Sequence, residues 1–450
     1  MSQLAPVLDA GGANPFLTHR HQLDVYRHAR AAGLTDAAYA ALVAGADERV
    51  AAVAGTGFRA TPLVDLTGGP SVPAALAGLA PVVAKVETAN VSGSHKARHL
   101  FGLLLRLLID DAVGSADGPG TGGPLAIASC GNAALGAAIV AASAGRALRV
   151  FVPTDANPAV LGRLDSLGAE VVTCPRRPGE AGDPCVLRLH EALAAGARPF
   201  TVQGPLEPAV IDGARTIGLE LADQLASAGL TPADLFVQIG GGALATAVMD
   251  GLVRAGAGGA PPPRLHPVQA TAAHPYVAGW RRIAPALLAR AGLPDPAPAA
   301  DPGASRAGLA RAESAADRAQ AEVLRRALAD GRLHLPADLD AVAHLMTPWP
   351  GTPRSIAGGI LDDLTYDWRT VLSHQIRSGG WPQLADEATL AEAAALAARL
   401  VAPPPDATGA AGLAGLVAAA RSGTLPPRAG GEALVVLLTG VDRAWTPSAA

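Results

Sequence analysis

The sequence is short of lysine, of cysteine and of net charge, and each shortage narrows what the chain can be. Of its 35 lysines and arginines, only Lys85 and Lys96 are lysines. Its three cysteines, Cys130, Cys174 and Cys185, are odd in number and form no CxxC pair, so they fit a reducing compartment and not a disulfide framework. A formal net charge of -4 with 16% charged residues supplies no field for a polyphosphate backbone or an anionic bilayer. Neither nucleic acid nor membrane is an expected partner. The opening "MSQLAPVLDAGG" lacks a basic start and an apolar core, so no secretion signal is expected and the cytoplasm is the expected location. Residues 118–145 carry no charge over a length that could cross a bilayer. Their Ala and Gly content, Ser129, Asn132 and Ser143, and the "GPGTGGP" at the start suit a buried strand and a small-residue helix better.

What is present is an α/β rhythm. The 450 residues, half of them hydrophobic, suffice for a sizeable core and two folding units. Short β-branched runs alternate with Ala/Leu stretches, the pattern of a mostly parallel sheet flanked by helices. The expected strands are "PVVAKVE" (81–87), "LAIAS" (125–129), "LRVFVP" (148–153), "EVVTC" (170–174), "PFTVQ" (199–203), "DLFVQIG" (234–240), "LHPVQAT" (265–271) and "ALVVLLTG" (433–440). Helices are expected at 131–145, 157–168, 213–228, 243–255 and 311–330. Residues 13–55 read as an N-terminal helical arm, serving either a partner subunit or as an ordinary capping pair. The Pro/Ala-rich 292–310 reads as a surface loop or linker.

Three elements carry chemistry. Arginine pairs with anions as well as lysine does, but its guanidinium cannot become a nucleophilic amine near neutral pH. An imine to a carbonyl needs a lysine. Lys85, inside a predicted strand, reads as a solvated or ion-paired side chain. Lys96, after the Ser-Gly-Ser of "VSGSHKARHL", opens a helix at a strand-to-helix junction. The second element is "LFVQIGGGALATAVMDGL", where Gly240, Gly241 and Gly242 lead from a strand into a helix starting near Ala243. Its free N–H groups suit a phosphate. Gly240, Gly242 and Ala245 also satisfy the dinucleotide pattern G-x-G-x-x-A, but no Asp or Glu lies between Asp250 and Asp295 to meet a ribose. A monophosphate is the favoured guest. The third is "IASCGNAALG", where Ser129, Cys130, Gly131 and Asn132 precede a helix and suit a carboxylate, or simply cap that helix. Cys130 has no paired histidine and reads as a small packing residue. An amine for an aldehyde, a nest for a phosphate and a nest for a carboxylate are together what pyridoxal 5'-phosphate and an amino-acid substrate require.

With these motifs the sequence resembles the fold-type II pyridoxal-phosphate enzymes, the group of threonine synthase, threonine dehydratase, cysteine synthase and the tryptophan synthase β subunit. The similarity runs from "TPLVDL" at 61–66 to the end, with an unmatched stretch at 275–350. "KVETANVSGSHKAR" resembles the segment of the Schiff-base lysine and implies that role for Lys96. "SCGNAALG" resembles the carboxylate loop and implies substrate contact at Ser129 to Gly131, with Asn132 also at the cofactor's phenolic oxygen. "IGGGALA" is similar to the phosphate loop, implying Gly240 to Leu244, with Ala243 between. "VVLLTG" resembles the late strand whose hydroxyl meets the pyridine nitrogen, here Thr439. His95 is reminiscent of the tryptophan synthase β histidine beside the cofactor, or is a helix-start histidine.

The resemblance implies a two-domain α/β fold: an arm over 1–60, a large domain from 61–109 and 201–450 with an atypical insertion at 275–350, and a small mobile domain at 110–200. It also implies a homodimer. Because a hydroxyl at the ring nitrogen stabilises a carbanion less than a carboxylate would, the implied reaction is α,β-elimination from a β-hydroxy or β-substituted amino acid. A β- or γ-replacement synthase, a catalytically silent amino-acid binder and, more weakly, a nicotinamide-dependent oxidoreductase stand as alternatives.

Overall fold

The computed structural model describes residues 4–69, 72–114, 123–180, 182–256, 261–297 and 305–444. Residues 118–122 of the expected break and residues 298–304 of the expected linker lie outside the described residues. By contacts the chain divides into one unit of Met1–Ala10, Pro62–Thr88 and Leu221–Ala450 and another of Gly11–Thr61 and Ala89–Glu220. This division differs from the expected one: residues 11–60 of the arm and the Lys96 segment fall in the same unit as residues 110–200.

The strands in chain order are β1 (Val7–Asp9), β2 (Leu63–Asp65), β3 (Val82–Val86), β4 (Leu125–Ala128), β5 (Leu148–Val152), β6 (Glu170–Thr173), β7 (Arg198–Pro199), β8 (Thr231–Gln238), β9 (Arg264–Ala270), β10 (Gln383–Ala385) and β11 (Glu432–Leu438). The first unit holds a seven-stranded sheet in the order β1-β2-β3-β11-β8-β9-β10. From β3 to β10 all neighbours are parallel, while β1 and β2 form an antiparallel edge. Every residue of β3 is buried, which explains why its sequence shows no polar alternation. Helices Ala411–Ser422 and Glu387–Leu400 cover one face through a core that includes Val82, Phe236, Val268, Leu413 and Leu416.

The same burial removes the solvated alternative for Lys85. Its side chain is fully enclosed and its Nζ donates to Gln224 Oε1 at 2.9 Å, so it is not solvated. The sequence could not show that β3 is a central strand.

The second unit holds the parallel sheet β6-β5-β4-β7. Here "PFTVQ" departs from expectation, for β7 ends at Pro199. Phe200 N makes a last ladder bond to Ala126 O at 2.9 Å, and the chain then turns through Gln203–Glu207. The arm becomes helices Pro15–Thr18, Asp24–Ala31 and Asp36–Ala54, packed within this unit. Phe16 and Phe58 meet Phe101 at centroid distances of 4.8 and 4.5 Å, and Asp212 accepts from Asp24 N and Val25 N at 2.8 and 2.7 Å. Among the described residues no helix is long and apolar enough to cross a membrane.

Candidate functional site

In the second unit, Lys96 is the first residue of a helix, Lys96–Ala112, and is half-buried. The turn before it is built by polar backbone chemistry. Asn90 Oδ1 accepts from Val91 N at 2.8 Å, Lys96 N points to Ser94 Oγ at 3.4 Å, and Ser92 has φ 63°. That left-handed conformation costs a β-carbon-bearing residue roughly 1–2 kcal/mol, and such strain concentrates at functional turns. Two residues on, Arg98 is fully buried and fixes the first turn. It donates to Glu220, to Thr216 Oγ1 at 3.0 Å and to Thr61 Oγ1 at 3.4 Å, while Thr61 N donates to Glu220 Oε2 at 3.0 Å.

His95 precedes the lysine and is 7% exposed, and neither of its ring nitrogens has a partner. Burial, then the charges of Lys96, His99 and Arg98, hold its pKa well below the usual histidine value. It is a neutral ring, not an exposed helix-start histidine.

The Asn132–Ser143 helix begins against this same turn. A Cβ on Gly136 would lie 3.2 Å from Ala97 N, so a larger residue there would press the two helices apart by a few tenths of an ångström. Gly131, and neither Ser129 nor Asn132, is the N-cap residue, and it provides no side-chain bond. Ser129 Oγ stands 3.5 Å from Gly131 N. No side chain caps this helix start, and the N–H groups of such an end suit an anion. Cys130 corrects its reading: it is exposed rather than packed. Desolvation raises its thiol pKa, which removes it further from a nucleophilic role. The second unit thus brings together Lys96, His95 and Ser129–Asn132.

In the first unit, β8 runs through Gly240–Gly242 into helix Ala243–Ala255, again with no side-chain cap. Gly242 has φ 98°, which only glycine adopts without strain. A Cβ on Gly240 would come within 2.4 Å of Asp362 Oδ2, and one on Gly241 within 3.1 Å of Tyr366 Cδ2. Asp367 N donates to Gly241 O at 2.8 Å. The loop 358–367 therefore walls the glycine bend, a feature that no motif in the sequence signalled beyond its own glycines and aspartates.

Thr439 follows β11 at the same carboxyl edge of the sheet, since β8 and β11 are parallel neighbours. It is 2% exposed, and its Oγ1 accepts from Gln238 Nε2 at 2.8 Å. Gln238 Nε2 also reaches Gly409 O at 3.1 Å. Gln238 is the last residue of β8 and was missed in the sequence, where it reads as one more strand position. The first unit thus brings together Gly240–Leu244 and Thr439.

These residues fit a phosphorylated aldehyde. The glycine bend adds no side chain of its own, although the Asp362 carboxylate stands against Gly240, and a helix start with no side-chain cap follows it. Among the described residues no group of three metal-ligating side chains occurs.

Comparison with known proteins agrees. The profile of a family described as pyridoxal-phosphate dependent enzyme matches residues 55–345. It spans most of 275–350 and stops short of Thr439. No curated protein matches the chain. Among solved structures, diaminopropionate ammonia lyase from Escherichia coli, in complex with an aminoacrylate-PLP azomethine reaction intermediate, superposes with TM-score 0.57 at 16% identity, covering 90% of this chain and 88% of that one. The processed form of threonine deaminase isoform 2 from Solanum lycopersicum gives 0.54 at 15% identity, with 81% and 80% covered. Maize serine racemase gives 0.54 at 16%, with 90% and 94% covered. At these identities the likeness is one of fold.

Proposed function

The chain belongs to the pyridoxal-phosphate-dependent enzyme family, and from that premise we propose that it is a lyase catalysing α,β-elimination from a β-hydroxy or β-substituted amino acid. The similarity in fold to an ammonia lyase and a threonine deaminase supports the reaction class. We propose that a homodimer in the cytoplasm is the working form, in keeping with three unpaired cysteines.

Lys96 supplies the amine that holds the cofactor's aldehyde, and Gly240–Leu244 offer backbone N–H groups to its phosphate. Thr439 stands for its ring nitrogen. Ser129, Cys130, Gly131 and Asn132 hold the substrate carboxylate at a helix start. Bound there, pyridoxal phosphate accepts the electron pair left when the substrate loses its α-proton. Lys96 Nζ, as a free amine, would be the base that takes that proton.

The observation that carries loss of the β-substituent, the half-reaction a lyase shares with a β-replacement synthase, is the Gln238–Thr439 pair. The Gln238 amide donates to Thr439 Oγ1, so the hydroxyl hydrogen is left to donate elsewhere. Facing the cofactor's ring, this neutral hydroxyl would hold the ring nitrogen by a hydrogen bond without protonating it, so the electron sink supplied there would be weaker than with a carboxylate partner and would favour loss of the β-substituent.

The test begins with the absorption spectrum of the purified protein, borohydride reduction and mapping of the labelled peptide. Serine and threonine, each with and without a thiol or indole, follow. Keto acid and ammonia are expected. A new amino acid in the presence of thiol or indole would instead make the chain a replacement synthase, and a label without turnover would make it a silent binder.

A further inference from the structure

The Lys96 helix carries two histidines one turn apart, and three of their four ring nitrogens have no hydrogen-bond partner. Both nitrogens of His95 and Nε2 of His99 are buried and unpartnered. The fourth, His99 Nδ1, lies 2.9 Å from the carbonyl oxygen of Val210. A carbonyl only accepts, so Nδ1 carries the proton of the neutral ring. His99 is fully enclosed, and burial pushes its pKa down to about 3. Its Nε2 is therefore a lone pair without a donor. His95, also neutral, presents one N–H and one further lone pair.

The rings stand edge to face with centroids 5.9 Å apart and do not bond each other. A buried polar atom left without a partner is destabilising. Three such atoms beside the imine-forming lysine are a cost that a ligand relieves.

The chemistry of that ligand follows from the donors and acceptors on offer. His99 Nε2 requires a hydrogen, and the His95 N–H requires a lone pair. A hydroxyl supplies both from one oxygen. A carboxylate has no hydrogen to give. An ammonium has no lone pair, and it would add a cation where Lys96 and Arg98 already act on His95.

Resting on the lyase reading above, we infer that His95 and His99 form the recognition site for the substrate's β-hydroxyl. The chain then selects β-hydroxy amino acids over β-amino ones such as 2,3-diaminopropionate. His99 Nε2 accepts the hydroxyl hydrogen and the His95 N–H donates to its oxygen, which gives His95 a substrate contact where the sequence resemblance implied a cofactor contact.

The experiment is a spectral titration of cofactor-loaded protein with L-serine, L-alanine and L-2,3-diaminopropionate, run on the natural chain, His99→Asn and His95→Phe. Asparagine keeps a donor for Val210 O while removing the Nε2 acceptor, so the fold is preserved where a hydrophobic replacement could disrupt it. The natural chain is expected to bind serine roughly ten-fold tighter than alanine, the equivalent of about 1.4 kcal/mol. In either variant the preference falls to within about two-fold, with alanine binding and the borohydride label at Lys96 retained. An unchanged serine preference in both variants would mean that the imidazoles hold an ordered water only, and it would overturn the inference while leaving the lyase reading intact. A natural chain that prefers diaminopropionate to serine does the same. Absence of any label at Lys96 brings down the lyase reading and this inference together.

Discussion

A chain that uses arginine almost everywhere keeps a primary amine at two places, and both are enclosed to some degree. Lys96 is half-buried behind a turn whose Ser92 is the only non-glycine residue with positive φ among those described, whereas Lys85 is fully buried in β3. Lys96→Arg keeps the cation and removes the nucleophile, so the borohydride label should disappear and turnover should fall by about 10³-fold or more. Lys85→Met should leave the label on the Lys96 peptide. A label mapped to the Lys85 peptide would reverse the assignment. Gly242 tests the phosphate nest at the same scale. Its φ of 98° and a Cβ that would sit 3.0 Å from Val371 Cγ2 make Gly242→Ala strained by about 1–2 kcal/mol, so cofactor affinity measured by absorbance titration should drop about ten-fold.

At the scale of elements, what the sequence revealed followed burial. Strands β3, β8, β9 and β11 were legible as largely apolar runs with few polar residues, and the helix from Ala243 to Ala255 began where the glycine triplet ended. Strands β1, β2 and β10 are three residues each and passed unnoticed, because a run that short carries no periodicity. The loop 358–367 was invisible as part of a site because its role depends on long-range contact with Gly240 and Gly241. Equally hidden was the close crossing that seats the Lys96 helix. A Cβ on Gly213 would stand 2.1 Å from Arg98 O and 3.0 Å from Gly102 N, both backbone atoms that cannot rotate aside. Gly213→Ala should therefore destabilise the chain by about 1–3 kcal/mol or more. Gly162, inside helix Pro158–Ser166 with open space where its Cβ would be, is the matched control. Gly162→Ala should stabilise by about 0.5–1 kcal/mol. Chemical denaturation of both variants reads the two signs, and equal behaviour would refute the close-crossing argument.

Across the whole molecule few charges are spent, and several of those are buried, so stability must depend on pH through a small number of groups. Asp234 is fully enclosed, with His266, Arg264 and Arg428 around it, and these partners overcome its burial and hold its carboxyl below the usual range. Its contribution is present above the unfolded carboxylate pKa and is lost as pH falls through the lower folded value. Asp317 and Asp406 behave oppositely. Burial raises each to about 6. Between about pH 4 and 6 the folded chain then binds more protons than the unfolded one, so their contributions are greatest below that window and fall as pH rises through it. Thermal midpoints should accordingly be higher near pH 5 than at pH 8 and decline again in stronger acid. Asp406 isolates one contributor. Its Oδ1 accepts from Gly409 N at 2.6 Å, a bond that an asparagine oxygen also accepts, so Asp406→Asn removes the charge and keeps the turn that presents Gly409 O to Gln238 and Thr439. With Asp406 only partly buried, the gain at pH 8 should be about 1–2 kcal/mol, less than the full value of a two-unit shift. At pH 4 it should vanish, because the natural carboxyl is already protonated in the folded state. Melting curves of the variant at the two pH values decide the matter: a gain as large at pH 4 as at pH 8 would place the effect in packing or in the unfolded chain rather than in the charge of Asp406.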